Sequence, residues 1–310
     1  MMSDRVSVSP RALLVGSTGR VGKRLISSLE RMGGLQVVYA SRNPEKVANW
    51  REDGKDAVFL DLDRPESFAA ALRGIERVFL STGYNVAMLH QSKNLIDAAV
   101  EAKVKFVVHL GIFGNGRITY SYGAWHELIE RYIENSGMDW THLHPHFFMD
   151  NLLEAAPVVN GTFHWFMGSQ SVGWIAPEDV SAVAATVLLE GPQVHGSKQY
   201  WLATEMLNGE QVALKLTEAL QVQVNSAILT PDDLEGGIAS GAIKTAAYIE
   251  PTYAAGILEW VRQTYEGKLN FKGATTTVEE LTGTAALSLV DWATRNREAI
   301  LEAGTRLSRA

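Results

Sequence analysis

One short stretch near the N-terminus constrains the chain more than any other. The apolar run Ala12-Leu13-Leu14-Val15 leads into Gly16-Ser17-Thr18-Gly19-Arg20-Val21-Gly22, and this leads into the helix-forming Lys23-Arg24-Leu25-Ile26-Ser27-Ser28-Leu29. Strand, glycine-rich turn and helix in that order open a βαβ unit. The glycines permit a tight turn, close approach of a pyrophosphate and close packing of the helix. The free amides at a helix start face anions. Gly16, Thr18, Gly19, Arg20, Val21 and Gly22 are therefore the first candidate binding residues, for a phosphate-bearing dinucleotide.

The rest of the first half repeats the alternation. Strands are predicted over Ala12–Val15, Gln36–Tyr39, Ala57–Leu60, Arg77–Leu80, Phe106–Leu110 and Trp140–Leu143, with helical patterns between them, as at Leu89–Ala102 and Trp125–Asn135. Short apolar strands separated by helices point to an α/β, Rossmann-type doubly wound parallel sheet with right-handed crossovers. Asn43-Pro44 reads as an N-cap followed by proline at the first helical position, Asp63 with Glu66 as a capping box, and Gly137 as a helix terminator. After about Asn151 the regularity weakens. Gly161–Gly173 reads as an aromatic-rich loop, Val180–Leu189 as a helix opened by Pro177-Glu178-Asp179, and Lys198–Ala203 as a strand. Helices are expected over Gly209–Leu220, Ala254–Tyr265, Thr277–Leu281 and Leu287–Ala303. The expected organisation is a dinucleotide-binding domain over 10–155, with 172–203 adding to it. A smaller, mainly helical lobe over 156–171 and 204–310 would form the far wall of a crevice at the carboxyl ends of the strands.

Composition excludes several classes. The 310 residues are 46% hydrophobic and 20% charged, with a formal net charge of −7 and no basic run, so nucleic acid is not an expected partner. Cysteine is absent, which removes disulfides, thiol nucleophiles and thiolate metal sites. Met1-Met2-Ser3-Asp4-Arg5 lacks the apolar core of a signal peptide. No apolar run approaches the ~18 residues of a membrane span. A cytoplasmic protein without membrane contact is the default expectation, and a homodimer is compatible with it.

The second strand decides which dinucleotide is expected. Where an NAD binder places a carboxylate for the ribose hydroxyls, this chain reads Tyr39-Ala40-Ser41-Arg42, with Lys46 one turn further on. A carboxylate would repel a 2′-phosphate, whereas a guanidinium grips one. Arg42 and Lys46 therefore favour NADP(H) over the bland reading of two solvated charges at a helix start. Asp61 and Leu62, past the third strand, are placed to meet the adenine, and Asp61 reads equally well as a turn aspartate. Ser81, Thr82 and Gly83 follow the fourth strand on the pyrophosphate and nicotinamide side.

These residues, with several later motifs, resemble the NmrA-like group of atypical short-chain dehydrogenases/reductases over nearly the whole chain. The later motifs are Val107-Val108-His109-Leu110 with Gly111-Ile112-Phe113-Gly114, Ser136-Gly137-Met138-Asp139-Trp140-Thr141, Pro145-His146-Phe147-Phe148-Met149-Asp150-Asn151-Leu152 and Thr275-Thr276-Thr277-Val278-Glu279-Glu280-Leu281-Thr282-Gly283. The resemblance implies an NADP(H)-binding Rossmann domain with a small C-terminal lobe. The group contains reductases of quinones, azo and triarylmethane dyes or phenylpropanoids, and also catalytically silent redox sensors. It further implies that Pro145 and Phe148 lie beside the nicotinamide.

Departures from the pattern bear on catalysis. Leu110-Gly111 leaves no serine at the strand end where ordinary members carry one. Aligning Glu130-Arg131-Tyr132-Ile133 with the following helix of the phenylpropanoid reductases puts His126 at their lysine. Tyr122, four residues earlier, completes Tyr-x-x-x-His in place of Tyr-x-x-x-Lys. His144 stands where many relatives carry arginine. A reduced acceptor must be protonated, and His126, with an unperturbed pKa near ~6.5, is the expected donor or water-positioner, with Tyr122 as hydrogen-bond partner. The alternative is an ordinary polar residue on a helix. His142, His144 and His146 alternate along and after a strand. His142 and His144 are expected not to share a site, and no completing carboxylate is evident, so no metal is expected. Trp125, Phe147, Phe163, Trp165 and Trp174 are the expected walls for a small aromatic or hydrophobic substrate, with inter-lobe core packing as the alternative for many of them. The function expected is an NADPH-dependent reductase of a planar hydrophobic acceptor. The rival is a non-catalytic NADP(H)-sensing regulator that binds a protein partner.

Overall fold

A computed structural model describes residues 9–114, 118–154, 158–240, 243, 250–269, 271 and 273–308. Met1–Arg5 and the expected lobe boundary at 155/156 lie outside them. The sheet is built from β1 (Arg11–Val15), β2 (Gln36–Ser41), β3 (Ala57–Phe59), β4 (Arg77–Leu80), β5 (Phe106–Leu110) and β6 (Asp139–Pro145), with a seventh strand at Lys198–Leu202. Their spatial order is 3-2-1-4-5-6 followed by the seventh strand, and every pairing is parallel. This is the doubly wound order, with its switch point between β1 and β4. The strands are buried in continuous runs, as parallel strands covered on both faces should be.

Two helical layers cover the sheet. On one face α1 (Arg20–Met32) packs against α6 (Pro177–Glu190), and Val21, Leu25 and Leu29 meet Val180, Val183, Ala184 and Val187. Small alanines let α6 sit close, and the Ser181 hydroxyl donates to the Val21 carbonyl at 3.1 Å. Helix α2 (Pro44–Glu52) lies on this same face beside α1, with Val47 packed on Tyr39 and Ala57 next to Ile26. On the other face α3 (Phe68–Ala71), α4 (Met88–Glu101) and α5 (Ser121–Glu134) follow in chain order, and Leu95, Ile96, Ile129 and Ile133 fill that core layer. Asn43 caps α2 through the Lys46 amide, with Pro44 at the first position as expected. Helix α5 begins one turn before Trp125, which brings Tyr122 onto it.

Three local expectations are corrected. Asp63 and Glu66 form no capping box: Asp61 accepts from the Asp63 amide at 3.1 Å, and Ser67 ties the same turn through Asp61 and Arg64. Gly161–Gly173 contains strand, because Thr162–Trp165 alternates Phe163 and Trp165 inward and pairs with Val158–Val159 and Asn225–Ile228. The continuous helix expected over Leu287–Ala303 is two helices, Leu289–Arg295 and Arg297–Ser308, broken at Asn296, whose side chain donates to the Trp292 carbonyl at 2.8 Å.

The smaller lobe is therefore helical with a three-stranded sheet, and it shares one core with the region after β6. Phe163, Trp165 and Trp174 sit with ring centroids 6.0 to 6.4 Å apart. Phe147 reaches this group at 4.8 Å from Trp174. Strand Val172–Ile175 places it there by pairing Trp174 with Phe147 and Ile175 with Phe148. Trp174 is fully buried at the centre of the group. Trp174→Ala is expected to lower unfolding free energy by about 3–5 kcal/mol in urea denaturation; a loss under about 1 kcal/mol would mean that this stack does not join the two parts of the chain.

Candidate functional site

The turn after β1 is organised for close backbone contact. Gly16 has φ +86°, and a Cβ on it would lie 3.0 Å from the Ser81 Cβ. A Cβ on Gly22 would lie 2.1 Å from the Gly16 carbonyl oxygen, so only glycine lets α1 start against the loop. Ser17, which sequence reasoning passed over, fastens the turn: its hydroxyl donates to the Leu14 carbonyl at 2.5 Å and accepts from the Ala40 amide at 3.2 Å. Thr18 and Gly19 form the exposed rim, whereas the Val21 side chain belongs to the core. Helix α1 has no side-chain cap and no acidic residue in its first turn. Its leading amides thus have no intrahelical acceptor and face the space a pyrophosphate would fill. Arg20 reaches across to Asp150 at 3.1 Å, Asn151 at 3.2 Å and Glu154 at 2.6 Å.

At the end of β2 the Arg42 side chain is exposed and makes no ion pair or hydrogen bond to any described residue. The Lys46 ammonium lies 5.5 Å from the Trp50 ring centroid, one turn along α2. A cation left unpaired at this position suits a 2′-phosphate. Asp61 is committed locally, accepting from Asp63 and standing 3.6 Å from the Arg64 guanidinium, so its turn role is the one the structure displays. Leu62 packs half-buried on the core layer of α3 and α4. Ser81 and Thr82 are half-buried and Gly83 is exposed at the mouth of the switch point.

Beyond the glycine turn lies a cleft of about 230 Å³ at the carboxyl ends of β5 and β6. Gly111, Tyr122, Pro145, Phe147 and Phe148 line it from the sheet side, and Tyr253, Ile257 and Trp260 from the helix Pro251–Tyr265. Tyr122 is flanked by Tyr120 at 5.0 Å and Tyr253 at 4.9 Å between ring centroids. Burial holds its phenol well above the usual tyrosine range, with Tyr120 and Tyr253 adding to the effect. Phe147 and Phe148 are in the cleft wall. Phe163, Trp165 and Trp174 are not, being core residues with 2% exposure or less, and Trp125 packs outside it, 6.2 Å from the Tyr253 ring.

The proposed catalytic pair shares one face of α5 but is separated along its axis. Tyr122 faces the cleft, while His126, one turn on, is buried under α5 with its ring 5.7 Å from that of His109. Burial, reinforced by His144, pushes His126 down to about 3, so at neutral pH it holds no imidazolium proton to give. The expectation that His142 and His144 cannot share a site is also corrected. Residues two apart on a strand point to the same face, and both face α5, with ring centroids 6.2 Å apart. Carboxylates are present as well: Glu130 Oε1 is 3.6 Å from His144 Nδ1, and Glu134 Oε1 is 3.7 Å from His142 Nε2. Burial, then repulsion from Glu134, raises the Glu130 carboxyl to about 8. The same carboxyl borders Gly111, where a Cβ would lie 2.6 Å from Glu130 Oε1, the movable end of that side chain. His146 turns the other way, into the cleft wall, with its Nδ1 accepting from the Phe147 amide at 3.0 Å.

A family model described as NAD(P)H-binding matches residues 16–190, which takes in the glycine turn, strands β2 to β6 and α6. The chain belongs to this NAD(P)H-binding family. A nicotinamide dinucleotide is therefore its cofactor, and the open glycine turn, uncapped α1 and unpaired Arg42 fit it. The chain is 29% identical over 262 residues to an NAD(P)H azoreductase from Xenophilus azovorans, covering 80% of this chain and 91% of that protein. Its fold is that of a Citrobacter sp. triphenylmethane reductase complexed with NADP(H), with TM-score 0.78 at 20% identity over 93% of this chain and 99% of the other. It is also that of NmrA, a negative transcriptional regulator in complex with NADP, with TM-score 0.75 at 16% identity over 96% and 98%. The resemblance to the NmrA-like group is upheld. No helix among the described residues is long and apolar enough to cross a membrane.

Replacing Arg42 with alanine is expected to weaken NADPH binding about 10-fold or more, the worth of a charge-assisted hydrogen bond, and NADH binding less than about 2-fold. Equal losses in isothermal titration would remove Arg42 from the 2′-phosphate.

Proposed function

We propose that the chain is an NADPH-dependent reductase of planar, hydrophobic acceptors such as quinones, azo compounds, enones or aromatic carbonyls. The observation that carries this reading is the aromatic cleft that opens directly beyond the glycine turn, with Arg20 at its inner edge and Tyr122, Phe147 and Phe148 on its wall. An NAD(P)H-dependent oxidoreductase is the class to which the family and the azoreductase relative point, and the cleft narrows the acceptor.

The dinucleotide, when bound, supplies the hydride. The chain's own residues bind, orient and exclude water. The α1 amides and Gly16–Gly22 hold the pyrophosphate, and Arg42, with Lys46 beside it, meets the 2′-phosphate. Pro145 and Phe148 shape the nicotinamide end. Phe147, Tyr253 and Trp260 present apolar faces that favour a flat acceptor and keep the cleft dry. Tyr122 keeps its proton at neutral pH and no described residue accepts from its hydroxyl, so the phenol is available to donate to an acceptor atom as negative charge develops there. His126 is left a structural place under α5.

A second reading has one specific observation in its favour. Gly111 and buried His126 leave the chain without the serine and lysine of ordinary members, which suits a non-catalytic NADP(H)-sensing regulator that binds a protein partner. Nicotinamide absorbance during incubation of purified protein with NADPH and a panel of quinones, azo dyes, enones and aromatic aldehydes separates the two. Oxidation with at least one acceptor is expected, and tight NADPH binding without oxidation would favour the regulator. Tyr122→Phe is expected to lower kcat/KM for the accepted substrate about 10-fold, the loss of one hydrogen bond to developing charge, with NADPH affinity unchanged. An unchanged kcat/KM would remove Tyr122 from the reaction.

A further inference from the structure

Behind the cleft wall, on the far side of Gly111, lies a group of side chains that the proposed reduction does not use. His109 on β5 and His142 on β6 are register partners, so their rings project side by side onto the face covered by α5, with centroids 5.4 Å apart. Both are fully buried. Neither ring nitrogen of either residue has a hydrogen-bond partner among the described residues. A neutral imidazole carries one donor and one acceptor, and burying both without partners is costly enough that native structures rarely do it. Glu130 descends between them from α5, with its Oε1 4.0 Å from His109 Nδ1, too far for a hydrogen bond. One ligand atom from each of His109, His142 and Glu130 lies within 4.8 Å of the others.

We propose that His109, His142 and Glu130 form a metal site for a borderline divalent cation of the zinc class. Two imidazoles and one carboxylate are a donor set that zinc favours, and ligands at its bond lengths of about 2.0–2.2 Å stand closer together than they do here. The site thus closes on its ion by sub-ångström shifts of three side chains. The cation satisfies the ring nitrogens that the protein leaves unpaired. Glu134, 3.7 Å from His142 Nε2, stands where a carboxylate orients a ligating imidazole through its second nitrogen. Its structural effect is to pin α5 to β5 and β6, and α5 also carries Tyr122 into the cleft. The site is distinct from the dinucleotide turn, and it stands whether or not the chain is a reductase.

The test uses the purified full-length chain, stripped with EDTA and titrated with Zn²⁺ against a chromophoric chelator, with Co²⁺ as a spectroscopic probe. Saturable binding of one ion per chain, a rise in Tm on binding and the intense visible bands of tetrahedral Co²⁺ are expected. His142→Gln and Glu130→Gln should each weaken Zn²⁺ at least about 10-fold, while His90→Gln, on the exposed side of α4, should leave it unchanged. Absence of stoichiometric binding to the wild-type chain, or equal binding by His142→Gln, overturns the site. Should the variants fail to fold, the wild-type Co²⁺ spectrum decides, and octahedral weak bands or none count against the proposal.

Discussion

The architecture depends on how closely helix α1 can approach the end of β1. The Gly16 carbonyl oxygen lies 2.1 Å from where any Cβ at position 22 would have to be, so the helix starts where it does only because Gly22 has none. That approach aims the first-turn amides over the carboxyl end of the sheet and lets Val21 and Leu25 pack against α6. Ser17 then ties the same turn to β2 through Ala40, and β2 carries Arg42. The glycine turn, the placement of Arg42 and the helix layer thus follow from one van der Waals constraint. Arg20 links it to Asp150 and Glu154 just past β6, where the cleft wall begins.

The cleft exists because the two parts of the chain share a core. Phe147 belongs to both, lining the cleft and packing on Trp174. The stack of Phe163, Trp165 and Trp174 backs that wall, and its residues are buried in the core, not exposed in the cleft. Gly111 borders the same region, with Glu130 Oε1 2.6 Å from where a Cβ would stand.

Much of this was legible in the sequence because parallel strands are continuous apolar runs. Ala12–Val15, Arg77–Leu80 and Phe106–Leu110 announced themselves, and the Asn43-Pro44 start of α2 did as well. The glycine turn was readable because close backbone approach there requires glycine, and the place of Arg42 because it directly follows an apolar strand. The illegible part was long-range. The alternation in Thr162–Trp165 was available as a strand signal, but only its partners Val158–Val159 and Asn225–Ile228 show which face is core. His126 looked like a lysine substitute from its spacing to Tyr122, and the two do share one face of α5, yet one turn along the axis carries His126 past the cleft and over the buried sheet. The proximity of His109 to His142 and Glu130 depends on strand register and helix placement, which no single segment encodes.

In the proposed binding mode one dinucleotide lies along a groove that runs from Arg42, over the glycine turn, into the cleft beside Phe148 and Tyr122. Diffraction from crystals grown with NADP⁺ tests this most directly. The 2′-phosphate is expected in ion-pair contact with Arg42, the pyrophosphate on the amides of Thr18 to Gly22, and the nicotinamide against Phe148 with Tyr122 facing its open side. A 2′-phosphate turned away from Arg42, or a nicotinamide lying outside the cleft, would contradict it.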